Sequence, residues 1–265
     1  MAMPALSSTA AWDALLSAAH AWQLRPSRLR DPAVRDRWLS LLSTDERVRY
    51  AEFTTPEGRE EYLAARVLCR MTLSRYTGTD PSEWRFQRDV RGKPAILEPK
   101  RFRSLRFNLT HAADLVICIV TRAGEVGVDA EQISQAVDPA LVARHFFSRR
   151  QQMRLAGMPS QERTVRFFEQ WALKEAYVKA TGKGLADSPE RLTIEQDAGG
   201  QPIAIGDCQF SLYRASSNHV AAAAVLRRER AAPVSIEWMW AGFFLDGADR
   251  PSEGMFEGNA KSQSP

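Results

Sequence analysis

The sequence predicts an α+β chain of two halves, each with a long helix and a small sheet. Three observations carry that expectation. Apolar residues recur at helical spacing over residues 56–76 and again over 161–181. Short runs rich in apolar and β-branched residues follow each of these helices and are separated by turn-forming residues. The composition, 44% apolar in 265 residues, suits a chain that buries a sizeable core. Residues 1–124 are assigned to the N-terminal half and 125–246 to the C-terminal half, while 247–265, rich in Gly, Ser and Pro, are expected to be a disordered tail.

In chain order, residues 6–20 are expected to form a short helix, and Asp31-Pro32 starts a second that carries Trp38 and Leu41. The string STDERVRYAEF at 43–53 reads as a capped helix with acids early and arginines late. Its Arg47 and Arg49 suit either a solvated face or a phosphate-binding edge. The helix over 56–76 sets Tyr62, Leu63, Val67, Leu68 and Met71 at helical spacing, distributes Arg59, Arg66, Arg70 and Arg75 along its length, and ends at Gly78. Residues 84–90 alternate as a strand, 91–94 form a turn, and 105–109 form a short strand ending in Asn108-Leu109-Thr110-His111. The run 115–120 is continuously apolar, as a strand buried on both faces requires. After a turn at 121–124, residues 126–131 form a strand that points Val126, Val128 and Ala130 one way and Gly127, Asp129 and Glu131 the other. Between 138 and 155 two helices flank the turn Phe146-Phe147-Ser148, with Ser148 capping the second. The long helix over 161–181 closes at Gly182-Lys183-Gly184. Residues 192–195, 203–205, 209–213, 219–226 and 234–240 read as strands that give the C-terminal half a sheet of its own.

Charge and cysteine content narrow the class of function. A net charge of +4 and a pI near 9.1 favour an anionic partner, but 36 basic against 32 acidic residues is too mild a bias for a nucleic-acid binder, and no nucleic acid is expected. Cys69, Cys118 and Cys208 lie far apart, without the close pairs of metal sites or disulfide frameworks, which suits a reducing, cytoplasmic location. The first residues carry no early Lys or Arg and are broken by Asp13, so no signal peptide is expected. No run reaches the roughly 18 to 20 apolar residues of a membrane span, and no membrane partner is expected.

The chemistry concentrates on the helix over 161–181. At about 100° per residue, Phe167, Phe168, Trp171 and Val178 share an apolar arc, Glu175 falls inside it, and Lys174 and Lys179 flank it. A carboxylate taken out of water must be paired, protonated or bound to a metal. Glu175 and Lys179 have i, i+4 spacing, so a structural salt bridge is one answer. Asp129 and Glu131, roughly 7 Å apart on one strand face, offer another. A helix packed across that strand would gather three carboxylates into the oxygen-rich set that Mg²⁺ takes together with waters and a substrate phosphate. Lys174, Lys179, Lys93 and His111 would add positive charge and donors for phosphate oxygens, although Lys93 and His111 are equally at home as turn residues.

Gly127-Val128-Asp129-Ala130-Glu131, then Phe146-Phe147-Ser148, then Trp171-Ala172-Leu173-Lys174-Glu175-Ala176 with Lys179 and Gly182-Lys183-Gly184-Leu185 stand in a specific order and spacing. That pattern resembles the signatures of the surfactin-synthetase-type 4′-phosphopantetheinyl transferases. Arg91-Gly92-Lys93-Pro94 and Phe107-Asn108-Leu109-Thr110-His111 are similar to the family's upstream motifs, and residues 43–70 resemble it more loosely. The resemblance implies a monomeric pseudo-dimer of two similar halves, each a small, mostly antiparallel sheet packed with a long helix, with coenzyme A in the cleft between them. It also implies transfer of the 4′-phosphopantetheine moiety to a serine of an apo acyl or peptidyl carrier protein, as in polyketide or nonribosomal-peptide assembly, with release of adenosine 3′,5′-bisphosphate.

By the match, Asp129, Glu131 and Glu175 hold Mg²⁺ on the coenzyme's diphosphate, and Lys179 and His111 touch that diphosphate. Lys93, Arg47, Arg49, Arg59 and Arg66 are candidates for the 3′-phosphate, and Lys174 is kept as a candidate phosphate contact. Glu175, Lys179 and His111 carry the catalytic role, with Glu175 a candidate to deprotonate the serine. One residue departs from the pattern: Gln151 stands about where many members carry an acid, keeping a carbonyl acceptor but losing the charge. That departure opens the alternative of a non-catalytic carrier-binding module of the same fold. Arg144, Arg149, Arg150 and Arg154 are expected to face an acidic carrier.

Overall fold

The computed structural model describes residues 9–29, 31–90, 92–182, 192–197, 200–228 and 232–241. Arg91, Lys183, Gly184, Leu185 and the tail at 247–265 lie outside the described residues. In chain order the elements are α1 (Thr9–Ala14), β1 (Ala18–Leu24), α2 (Pro32–Leu41), α3 (Thr44–Glu52), α4 (Pro56–Thr77), β2 (Arg85–Arg88), β3 (Pro94–Glu98), β4 (Arg106–His111), β5 (Val116–Thr121) and β6 (Gly124–Gln132). They continue with α5 (Pro139–Phe146), α6 (Arg149–Ala156), α7 (Ser160–Thr181), β7 (Cys208–Ser216), β8 (His219–Arg227) and β9 (Ser235–Trp240).

Local chemistry sets the helix ends. Ser43 and Glu46 form a reciprocal capping box at the start of α3. Thr55 accepts from Gly58 N–H at the start of α4, with Pro56 in the first turn, where its missing N–H costs nothing. Both 22-residue helices end on a left-handed glycine, Gly78 at φ 68° and Gly182 at φ 66°. Arg70, fully buried, ties this region together: its guanidinium donates to the Pro81 and Trp84 carbonyls, both at 2.9 Å, and pairs with Glu46 at 2.5 Å.

The two halves share a topology. In the first, β1 leads into α4, and the β4–β5 hairpin follows with β5 lying between β4 and β1. In the second, β6 leads into α7, and the β7–β8 hairpin follows with β8 lying between β7 and β6. All four of these pairings are antiparallel. The sheets stack face to face and the helices cover them outside. On β5, Val116, Cys118 and Val120 pack toward Leu63, Val67 and Leu68 of α4, while Ile117 and Ile119, with Leu115 just before the strand, meet Val126, Val128, Ala221, Ala223 and Val225 of the other sheet. On β8, Ala222 and Ala224 pack with Ala172, Ala176 and Ala180 of α7, small residues that let helix and sheet approach closely. One edge of the stack closes where β4 abuts β6, through the Asn108 side chain accepting from Val128 N–H at 2.9 Å. The other closes where Trp238 of β9 stacks on Tyr213 of β7, ring centroids 4.8 Å apart.

Several expectations are corrected. The first helix is confined to Thr9–Ala14 among the described residues, and Ala18–Leu24, read partly as its continuation, is β1. Its run AAHAWQL is buried on both faces and so lacks the alternation that marks a strand. Strand β3 follows the 91–94 turn and pairs with β2, where no strand was expected. Residues 192–195 and 203–205 are not strands; only the isolated bridges Gln196↔Pro202 and Ile205↔Cys208 form there. Strand β9 does not join the C-terminal sheet but runs parallel to β1 at the edge of the N-terminal one.

Candidate active site

The edge where β4 meets β6 is crossed by α7, and the three elements enclose a cleft of about 490 Å³ lined by Thr110, His111, Ala113, Asp129, Glu131, Phe168 and Lys179, among others. Gly127 brings the helix this close. A Cβ there would stand 2.1 Å from the Ala176 carbonyl oxygen and 2.4 Å from the Ala180 nitrogen, so only hydrogen fits between β6 and α7. Two residues along the same strand face, Asp129 is buried, and Lys179 reaches it with Nζ 2.6 Å from Oδ1. The same ammonium donates to the Val128 carbonyl at 3.2 Å and to Thr110 Oγ1 at 3.3 Å. Asp129 Oδ2 is buried with no hydrogen-bond partner among the described residues.

The neighbouring acids resist ionisation. Burial pushes the Asp129 carboxyl above the usual carboxylate range, with the Lys179 ammonium opposing. Glu131 is pushed up to about 7, first by burial and then by the charges of Asp129 and Glu175, while the Trp171 indole donates to it and holds it back. Burial and the Asp129 charge raise Glu175, and Lys179 opposes them. The three carboxylates sense one another, yet among the described residues no three His, Cys, Asp or Glu side chains converge closely enough to hold a metal ion as they stand.

The remaining candidates are spread around this centre. His111 lines the cleft, 62% exposed, with Nδ1 3.4 Å from Glu61 Oε2. Lys93 lies at the C-terminal end of α7, its ammonium 3.4 Å from both Glu125 and the Ala180 carbonyl, and burial lowers its pKa while Glu125 opposes. Arg47 donates to the Leu42 and Ser40 carbonyls, each at 3.2 Å; Arg49 pairs with Glu52 at 2.6 Å; Arg59 donates to the Phe53 carbonyl at 2.8 Å; and Arg66 lies over the Tyr62 ring. These four arginines and Lys93 are not among the described residues that line the cleft.

Lys174 is placed elsewhere. It is buried, its ammonium donates to the Leu192 carbonyl, and the Phe147 ring lies 5.2 Å from it. One residue of helix turns the side chain about 100° away from Glu175, into the core beside α6 rather than toward the cleft. Gln151 is also away from the carboxylates. As the third residue of α6 it completes a capping box with Ser148, and its amide donates to Gln170, which donates to Gln196, both at 2.9 Å. The departure at Gln151 therefore concerns a helix start, and the alternative of a non-catalytic module loses the one residue that suggested it. Of the arginines expected to face a carrier, Arg150 and Arg154 both pair with Glu195, at 3.3 and 2.6 Å.

Thr110, Asn108, Trp171 and Glu61 contribute to the site without having been assigned to it. For Asn108 and Thr110 a signal existed: with Arg106 they are polar residues at i, i+2 spacing on a strand whose other face carries Phe107 and Leu109. For Glu61 nothing in the sequence links residue 61 to residue 111.

Comparison with known proteins gives the family. The family model of the 4′-phosphopantetheinyl transferase superfamily matches residues 125–232, and that of the 4′-phosphopantetheinyl transferase N-terminal region matches 32–123. The chain is 34% identical over 175 residues to the 4′-phosphopantetheinyl transferase HetI of Nostoc, covering 64% of this chain and 71% of that one. It is 27% identical over 183 residues to the transferase Sfp of Bacillus subtilis, covering 67% and 79%, and 30% identical over 200 residues to a phosphopantetheinyl transferase of Thraustochytrium, covering 69% and 68%. The chain belongs to the 4′-phosphopantetheinyl transferase superfamily. Within it the chain is an enzyme of the Sfp-like type.

Proposed function

We propose that the chain transfers the 4′-phosphopantetheine arm of coenzyme A to a serine hydroxyl of an apo acyl or peptidyl carrier protein, with Mg²⁺ as its metal and adenosine 3′,5′-bisphosphate as the product released. The observation that carries this reading is Asp129, a buried carboxylate with one oxygen on Lys179 and the other without a partner among the described residues, beside Glu131 and Glu175. The donor set fits a hard divalent ion: three carboxylates, oxygen only, all raised by burial, and Glu131 and Glu175 by the Asp129 charge as well. Mg²⁺ keeps waters and substrate phosphate oxygens in its shell, so the three acids need not all touch it. When bound it would neutralise charge on the diphosphate and polarise the phosphoryl group.

The rest of the chemistry belongs to the chain's own side chains. Phosphoryl transfer asks for orientation and charge stabilisation more than covalent help. Lys179, already held by Asp129, Thr110 and a carbonyl, is set in place to donate to the diphosphate, with His111 donating from the β4 side of the cleft. Glu175, its carboxyl raised by burial, takes the serine proton. The arginines Arg47, Arg49, Arg59 and Arg66, with Lys93, supply positive charge for the 3′-phosphate. The chain works as a monomer in the cytoplasm, its halves meeting near residue 124; no helix among the described residues is long and apolar enough to cross a membrane.

Incubation with coenzyme A, Mg²⁺ and a panel of apo carrier proteins, read by intact mass, tests the reading. Carrier gains the phosphopantetheine mass only with the metal present, and Asp129→Asn or Glu175→Gln slows labelling by about 10²-fold or more. Full activity after chelation, or in either variant, would overturn the site assignment.

A further inference from the structure

The cleft that is to hold a polyanion has an acid at its mouth. Glu61 projects from α4, on a stretch that also carries Glu57, Arg59, Glu60, Arg66 and Arg70, and its Oε2 lies 3.4 Å from His111 Nδ1. A carboxylate beside a diphosphate subsite repels the ligand unless it does something that outweighs the repulsion. Its side chain is 24% exposed against 62% for His111, so the acid is the more buried member of the pair. Contact through Nδ1 turns the opposite ring nitrogen, Nε2, away from α4. His111 belongs to the cleft lining, with Thr110 beside it and Lys179 across from it. An unheld imidazole at this exposure would sample several rotamers, and only some direct a donor into the cleft.

We propose that Glu61 is a positioning residue that holds His111 by Nδ1 and so presents Nε2–H to the diphosphate of coenzyme A. The proposal rests on the reading of His111 as a diphosphate contact. Burial raises the Glu61 carboxyl, the His111 charge lowers it and Asp114 raises it, which agrees with an acid set partly into the wall and facing the ring. Glu61 itself touches no substrate.

The test is a double-mutant cycle on the full chain, with coenzyme A varied at saturating apo carrier. Glu61→Gln keeps the size and removes the charge, Glu61→Asp keeps the charge and withdraws it from Nδ1, and His111→Gln removes the ring. The expected result is that Glu61→Gln and Glu61→Asp each raise the KM for coenzyme A about 3- to 10-fold with kcat within about twofold, because a contact made equally in ground and transition states moves KM alone. His111→Gln raises KM at least as much, and the double variant Glu61→Gln/His111→Gln matches His111→Gln alone. Thermal midpoints of all variants are measured alongside, since a merely structural role would move these and leave the cycle additive. A fall in KM for Glu61→Gln, wild-type behaviour of Glu61→Asp, or an additive cycle overturns the positioning role. An unchanged KM in His111→Gln instead overturns the reading of His111 and the inference with it.

Discussion

Replacing Gly127 with alanine puts one methyl group where β6 and α7 leave room for none. Its φ is not among the left-handed values found at the turn glycines, so the requirement is for space rather than for backbone freedom. The added Cβ would lie 2.1 Å from the Ala176 oxygen, 2.4 Å from the Ala180 nitrogen and 2.9 Å from the Lys179 carbonyl carbon, all backbone atoms that no rotamer change can move. Restoring the first contact to an ordinary 3.4 Å separates strand and helix by about 1.3 Å. A shift of that size takes Lys179 Nζ, now 2.6 Å from Asp129 Oδ1, out of hydrogen-bonding range, and carries Glu175 with it. Overpacking of this kind costs about 1–3 kcal/mol, and an ångström of misplacement at reacting groups costs about 10²-fold in rate. Gly127→Ala is therefore expected to remain folded, with a thermal midpoint lowered by about 2–12 °C for a chain of this size, and to label apo carrier about 10²-fold more slowly. Circular dichroism melts and a time course of carrier mass report the two effects. Labelling within twofold of the parent rate would refute the account of Gly127 as the residue that sets the distance between the carboxylate strand and its helix.

Four other variants or conditions probe separate parts of the molecule. Lys179→Met leaves Asp129 buried without its ammonium and is expected to lower turnover by about 10²- to 10³-fold, read in the same carrier assay. Arg70→Met removes a fully buried guanidinium from Glu46 and two carbonyls; breaking such a pair costs about 3–5 kcal/mol, so the urea midpoint falls steeply while the rate per folded molecule holds. Gln151→Glu brings a carboxylate against the Gln170 amide oxygen and forces the Gln170 and Gln196 amides to turn, which leaves the Gln196 amide oxygen facing the Gly200 carbonyl. The expected outcome is a loss of about 1–3 kcal/mol with no gain in turnover. Burial lowers the pKa of His20 and His219 below their ordinary 6.5. Below that pH the unfolded chain binds protons that the fold refuses, so their contribution to stability is complete above pH 6.5 and is lost as pH falls. Glu131, pushed up to about 7, gains its proton in the fold first and works the other way over the same range, so the histidine contribution is read as a difference: from pH 8 to 5.5 the urea midpoint of His20→Gln/His219→Gln should fall less, or rise more, than that of the parent.

What could be read in advance was local. The Ser43 cap, the glycine ends of both long helices, the doubly buried β5 and the shared face of Gly127, Asp129 and Glu131 each follow from a pattern spanning a few residues. Lys174 and Lys179 show where that reach ends. A helical wheel gives each an angle relative to Glu175 but not what stands opposite, and the fold sets Asp129 before Lys179 and Phe147 with the Leu192 carbonyl before Lys174. Gln151 was compared with an acid at the same place in a motif, whereas its role comes from being third in a helix and from contact with Gln170, 19 residues on.

By itself the sequence determined the period of each element, its caps, and the set of carboxylates and lysines that would share a face, because backbone sterics and side-chain alternation act between near neighbours. Only the tertiary structure decided that β9 returns to lie beside β1, that α7 descends on β6 to the limit a glycine allows, and that Glu61 meets His111. Those are pairings between residues 50 to more than 200 positions apart, and they are settled by which apolar faces can be buried together.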